Sequence, residues 1–405
     1  MERSSASTDA AFPTGTAREV LGAAVRLGLA SFGGPVAHLG YFRREYVERR
    51  RWLDQSEFAD LVALCQLLPG PSSSELGIAI GTLRAGYLGG LAAWLGFTLP
   101  SAFALTAFAL LSTNVDLATA GWVEGLKLAA VAIVAQAVFV MARTIIVDIR
   151  GLTLAVAAVV VMLLAPTSLL QVVVILGAGA IGWRLFATHA AGREAIPRFH
   201  SRQAVGRLCL VVFVGLLIGL PIGRTIVADQ ALAVFDALYR SGSLVFGGGH
   251  VVLPLLHAAT VTPGWIADDR FLAGYGAAQA VPGPLFTFAA FLGASFEQAP
   301  NGAAGAMLAL VAIFLPAFLL VWGVLPFWDR LRQSGAFAAA LRAANAAVVG
   351  ILLAALISPI GTSALHSPIE AAIALLGLLA LVFGRVPPIL VVGVAALAGQ
   401  LLNLT

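Results

Sequence analysis

The sequence predicts an all-α polytopic membrane protein: two inverted-topology repeats of about six elements each, with broken or re-entrant helices, joined by a linker transmembrane helix. Three observations predict it. Of 405 residues, 60% are hydrophobic and only 11% are charged, whereas soluble domains carry roughly 25% charge. So few charges cannot cover a water-facing surface, and most of this surface must face lipid. Second, apolar runs are long enough for a bilayer, which needs ~20 residues; Leu91 to Leu111 contains no charge at all. Third, the chain repeats itself. Trp52-Leu53-x4-Phe58-x7-Gln66-x2-Pro69-Gly70-Pro71 returns as Trp265-Ile266-x4-Phe271-x7-Gln279-x2-Pro282-Gly283-Pro284, at a constant offset of 213.

The elements follow in order. Residues 1–16 are polar, lack a signal-peptide pattern and read as a disordered tail. The first repeat, 17–187, holds apolar elements at about 17–47, 57–83, 87–113, 125–143, 151–165 and 168–186. A basic loop and one linker span, within 188–227, separate it from the second repeat, 228–405. That repeat holds elements at about 228–258, 269–297, 303–325, 336–357, 368–384 and 387–403. Phe32-Gly33-Gly34 returns as Phe246-Gly247-Gly248, and Leu126-Lys127 aligns with Leu341-Arg342. The 43 Gly and 19 Pro are tolerated in membrane helices, whose neighbours re-satisfy freed backbone groups.

Arginine placement orients the chain, because basic loops stay cytoplasmic. Arg43-Arg44-x4-Arg49-Arg50-Arg51 and the loop with Arg193, Arg198, Arg202 and Arg207 both belong inside. The segment His257 to Arg270 matches the first loop by repeat position, yet has one Arg against Asp268 and Asp269. The two halves are therefore expected to face opposite ways. An even number of crossings must separate the two basic loops. The spans at 87–113, 125–143, 151–165 and 168–186 already supply it, so 57–83 is expected to enter and return, bent at Pro69-Gly70-Pro71. By the same count 228–258 and 269–297 re-enter.

A Pro-Gly-Pro in an apolar segment breaks a helix: proline removes a donor and glycine permits unusual dihedrals. Pro71 suits the first position of a new helix, and Ser72, Ser73 and Ser74 follow it. Helix N-termini donate to anions, and broken helices that aim them at the mid-membrane recur in transporters. Phe32-Gly33-Gly34-Pro35 and Phe246-Gly247-Gly248-Gly249 are candidates for the same role. The bland reading is that these residues kink helices for packing. The repetition of both motifs favours a small-oxyanion site instead.

Polar residues inside apolar elements are costly and often functional. Glu75 is either a proton-coupling carboxylate or a partner for Arg84. Lys127 and Arg342 attract an anion or snorkel to the interface. His38 and His250 follow the glycine motifs, as oxyanion donors or structural histidines. Gln66 and Gln279 precede the two bends, as ligand donors or helix contacts. No Walker loop, nucleophile elbow or metal-binding helix pair appears, so no enzyme and no cofactor is expected. Cys65 and Cys209 form no metal or disulfide pattern. A net charge of +4 is too modest to imply nucleic acid. Oligomeric state is not readable, and a homodimer is compatible with the sequence.

These motifs resemble the chromate transporter family, in its long-chain bidomain form known as ChrA. The carriers are Phe32-Gly33-Gly34-Pro35, the Trp52…Gln66-x2-Pro69-Gly70-Pro71 stretch, Phe246-Gly247-Gly248-Gly249-His250 and Gln279-x2-Pro282-Gly283-Pro284. The resemblance runs from about 17 to 403. It implies a multi-pass cytoplasmic-membrane protein that exports chromate and confers chromate resistance, with sulfate as a competing ligand. Membrane potential, proton antiport or both would drive it; export or exchange of sulfate or another oxyanion, or an anion channel, is the alternative. The second half departs at Gly249, where the first has Pro35, and at Leu285-Phe286-Thr287 in place of the serines. The two half-sites are therefore expected to differ.

Overall fold

The structure is a computed structural model that describes residues 15–32, 34–112, 121–165, 167–185, 203–245, 252–328 and 334–402. Among the described residues every regular element is helical. In the first half, α1 (Ala17–Ala30) starts where Thr16 Oγ accepts the Glu19 N–H. It stops at Ser31, and α2 (Gly34–Phe42) runs on into a π-helical turn, Arg43–Arg49. A capping box of Asp54 and Glu57 opens α3 (Gln55–Leu67), and the Pro-Gly-Pro bend closes it. Helix α4 (Ser72–Leu111) is continuous only in name. Ala85 and Gly86 leave helical geometry, with Gly86 at φ 67, and the chain reverses there. Gly81 and Gly89 then lie backbone to backbone, so a Cβ on either would strike the other's carbonyl. Of the 40 residues, only the arm 87–111 is an unbroken helix long enough to cross a bilayer.

Three helices complete this half: α5 (Gly121–Ile145), α6 (Ile149–Leu164) and α7 (Ser168–Leu185). The linker α8 (Gln203–Ile226) exposes Leu208, Val211, Ile218 and Ile222, as a lipid-facing helix should. The second half repeats the order: α9 (Gln230–Ser243), α10 (Val252–Thr260), α11 (Asp268–Ala280), a 3₁₀ turn Leu285–Thr287 leading into α12 (Phe288–Ser295), and α13 (Gly302–Val324). Then come α14 (Gly335–Ala355), α15 (Pro368–Val382) and α16 (Pro388–Leu402). Five stretches, Ser72–Leu111, Gly121–Ile145, Gln203–Ile226, Gly302–Phe327 and Gly335–Ala364, are long and apolar enough to cross a membrane. The chain is a membrane-embedded helical protein.

The segments at 57–83, 228–258 and 269–297, expected to turn back, and the segment at 17–47 are each two helices folded back on themselves. For 57–83 the proof is at the base of the hairpin. Trp52 precedes α3 and Arg84 ends the first arm of α4, yet the Arg84 guanidinium lies 5.0 Å from the Trp52 ring centroid. Glu19 joins them, accepting from Trp52 Nε1 at 3.2 Å and pairing with Arg84 at 3.3 Å. Because Glu19 and Gly15 sit here too, with the Gly15 N–H donating to the Arg84 carbonyl at 3.0 Å, the α1–α2 segment also returns to this face. In the second half the Glu297 N–H donates to the Trp265 carbonyl at 3.0 Å, closing the base of α11–α12.

The two bases lie at opposite ends of the α4 crossing arm. That arm begins beside Arg84 and ends where Arg270 Nη2 donates to the Ala109 carbonyl at 2.8 Å. Its length is about 37 Å at 1.5 Å per residue. The remaining helices interlock the halves. Helix α5 packs on α15 and α16, while α14 packs on α6 and α7. Small residues allow both contacts: Gly125 rests on the Ala395 carbonyl and Gly182 on the Ala339 carbonyl. Close backbone approach through Gly and Ala is how helices gain dispersion contact without a hydrophobic drive.

Candidate functional site

The two Pro-Gly-Pro bends do not end in their own halves. Gly70, at φ 145, donates its N–H to the Val245 carbonyl at 2.7 Å. Gly283, at φ 102, donates its N–H to the Ser31 carbonyl at 2.9 Å. Ser31 ends α1 and Val245 follows α9, so each bend closes on the break of the other half. Both glycines occupy φ values that favour glycine, and each is crowded. A Cβ on Gly70 would collide with Glu75 Oε1, and one on Gly283 with Ser101 Oγ.

Around these bonds lie buried polar residues of the first half. Ser31, Ser73, Ser74, Glu75, Thr98 and Ser101 are all buried. The Ser31, Ser74 and Thr98 hydroxyls and both Glu75 oxygens have no hydrogen-bond partner. Buried polar atoms are rarely left so, and this cluster lies beside two helix N-termini. Helix α2 starts at Gly34, with φ 79, and α4 at Ser72, both within this group. Pro71 is the N-cap of α4 rather than its first residue, so the free N–H groups of that turn begin at Ser72. His38 Nε2 is 3.2 Å from the Ser31 carbonyl and donates to it in that tautomer. Its ring packs edge-on against Phe97 at 5.4 Å.

The matching surface in the second half is aromatic. Phe286, Thr287 and Phe288 take the places of Ser73, Ser74 and Glu75. Phe286 packs on Phe314 at 5.9 Å, and Phe288 on Phe271 at 5.2 Å. Thr287 Oγ1 is spent on the Pro284 carbonyl at 2.7 Å. The two bends therefore differ in composition, polar after Pro71 and aromatic after Pro284.

Other expected site residues are distributed as follows. Phe32 and Pro69 are half-buried beside the breaks, and Pro71 is buried; Pro35 lies in the first turn of α2. Pro282 is half-buried and Pro284 buried. Gln66 is exposed at the inner end of α3, and Gln279 is half-buried with Nε2 unpartnered. Gly33, Phe246, Gly247, Gly248, Gly249 and His250 lie outside the described residues. The Arg84 partner is Glu19, not Glu75. Lys127 is not at the bends. It is buried at the base of the second hairpin, paired with Glu124 and Asp269 at 2.6 Å each. Arg342 is exposed. Sequence reasoning missed Ser31, Ser74 as an open donor, Thr98 and Ser101. The signal was there: Thr98 and Ser101 interrupt an otherwise apolar run, and Ser31 immediately precedes the first glycine motif.

Among the described residues no group of His, Cys, Asp and Glu is arranged to hold a metal ion. The family model described as chromate transporter matches residues 18–183 and 232–400. The chain is 30% identical over 355 residues to a chromate transport protein of Pseudomonas aeruginosa, covering 86% of this chain and 82% of the relative. It is 28% identical over 399 residues to a chromate transport protein of Cupriavidus metallidurans, covering 96% and 93%. An uncharacterized transporter of Methanocaldococcus jannaschii is 25% identical over 336 residues, covering 82% and 81%. No solved structure matches.

Proposed function

The chain belongs to the chromate transporter family, and from that premise we propose that it is a secondary transporter exporting chromate across the cytoplasmic membrane, thereby conferring chromate resistance. The observation that carries the reading is the pair of reciprocal bonds between bends and breaks. They gather helix N-termini, whose N–H groups are donors, and unpartnered hydroxyls, which can donate. Donors suit a tetrahedral dianion; a cation would need acceptors. The hydroxyls of Ser31, Ser72, Ser73, Ser74 and Thr98 and the N–H groups opening α4 bind the anion, and the aromatic wall excludes water on the other side.

The proposed membrane topology is inverted repeats, with the Arg43–Arg51 face cytoplasmic and the 261–267 turn outside. Potential then favours export. Each charge moved through 100 mV changes free energy by about 2.3 kcal/mol, and a dianion leaving a negative interior gains roughly twice that. Glu75 is the proton-coupling residue. A lone carboxylate in a dry place is costly, and a proton relieves the cost.

Chromate uptake into inverted vesicles tests the reading. Uptake is expected under a membrane potential and is expected to fall when Ser31, Ser74 and Thr98 are together replaced by Ala. No uptake under either a potential or a proton gradient overturns it. A second reading, export or exchange of sulfate or another oxyanion, is favoured by the donor set itself, since hydroxyls and N–H groups grip any tetrahedral dianion. Competition by sulfate in the same vesicles measures it.

A further inference from the structure

A cavity lined by two arginines lies away from the bends. Between α9 and α10 is a cavity of about 280 Å³, far above the ~10–15 Å³ that one water needs. Its walls include Arg224, Arg240, Ser241 and Leu244, with Thr262 and Trp265, and Thr262 is exposed. Leu244, in its wall, adjoins Val245, whose carbonyl receives the Gly70 N–H. The cavity thus runs from the 261–267 turn toward the central bends.

Its charge is unusual. Asp236 is wholly buried and carries two arginines: Arg224 Nη1 at 3.0 Å, and Arg240 through Nε at 2.8 Å and Nη2 at 2.6 Å. One carboxylate for two guanidiniums leaves one net positive charge. Each guanidinium has five N–H donors, and Asp236 uses few of them. The carboxylate fixes both forks in place, so the remaining donors meet a ligand already oriented. A buried pair needs only one cation; the second is surplus to structure. Among large exposed surfaces of this chain, two arginines beside an apolar helix end are otherwise expected on the cytoplasmic face. Here they sit at the opposite end of the fold from Arg50 and Arg84.

We propose that Arg224 and Arg240, held by Asp236, form a vestibular oxyanion site for a tetrahedral dianion between the central bends and the Trp265 face. This role presupposes oxyanion transport by the chain. In the full-length Thr262→Cys protein in zwitterionic-lipid vesicles, sulfate is expected to slow modification of the new thiol by a membrane-impermeant reagent; Cys65 and Cys209 are buried. Replacing the triad as Arg224→Gln, Asp236→Asn and Arg240→Gln leaves no buried charge unpaired. It is expected to raise the half-protecting sulfate concentration about tenfold or more, as loss of charge-assisted bonds implies. Arg240→Lys, which keeps the charge but not the fork, is expected to fall between. Equal rates with and without sulfate, or protection that survives in the triad variant, overturns the site. So does protection that follows added phosphatidylglycerol instead of sulfate, which would assign the arginines to a lipid headgroup. Chromate uptake by the unsubstituted protein, measured alongside, separates the two failures: uptake without protection rejects only the vestibule, and protection without uptake rejects only the transport reading.

Discussion

Glu75 and Gly70 occupy the same few ångströms, and their chemistry can be separated by substitution. Glu75→Gln keeps the shape and removes the titratable group. It is expected to leave potential-driven chromate uptake in place while a pH gradient alone no longer alters flux; retained pH response would move coupling to another residue. Gly70→Ala and Gly283→Ala each force a side chain into a left-handed backbone already crowded by Glu75 or Ser101. Strain of this kind costs on the order of 1–3 kcal/mol. Thermal unfolding in detergent should show a clear loss for both, and an unchanged midpoint in either would show that the bend can relax. The sequence made Gly70 and Gly283 legible because Pro-Gly-Pro has one local meaning. It hid Ser31 and Thr98, because a hydroxyl in an apolar helix normally returns its proton to the preceding turn, as Ser101 does toward Thr98, and only tertiary placement reveals one that does not.

At the element scale, 57–83, 228–258 and 269–297 are the folded-back pairs the arginine count called for, and 17–47 is a fourth. The α3 start rests on Asp54, which accepts from the Glu57 N–H and from Ser56, contacts that hold its carboxyl below its ordinary value. A lowered folded pKa means the cap's contribution is present above the unfolded value and is lost as pH falls through the folded one. Asp54→Ala is expected to cost about 1 kcal/mol, and Asp54→Asn to weaken the acid dependence of unfolding; an unaltered acid limb would show that the cap does not report on folding. Hydrophobicity placed the elements well, with 87–113 observed as the arm 87–111. It could not place the breaks at Ala85-Gly86 or after Ser31. A reversal needs neighbours that accept close backbone contact, such as Gly81 against Gly89, and those are set by the fold.

For the whole molecule, the count of arginines predicted opposed halves. The two hairpin bases are marked by Trp52 with Arg84 at one end of the α4 arm and by Arg270 with Ala109 at the other, and the side of the membrane each faces is a matter for labelling. With inverted topology, Ser56→Cys and Thr262→Cys should react with impermeant thiol reagents from opposite sides of the membrane; labelling from one side would end the inverted arrangement. Enlarging Gly125 or Gly182, as Gly125→Leu or Gly182→Leu, should destabilise the assembly through matching clashes with Ala395 and Ala339, read as lower thermal midpoints for both. The repeat was visible in sequence, but its interlocking was not, since α5 seeks α15 and α16 rather than its own neighbours. That exchange has a consequence for how the polypeptide is joined. Each part finishes its folding on the other, and α8 only skirts the outside. Covalent connection is then a convenience of synthesis: two separate chains inserted in opposite senses would find the same partners, and a chain cut between α7 and α8 would stay one body.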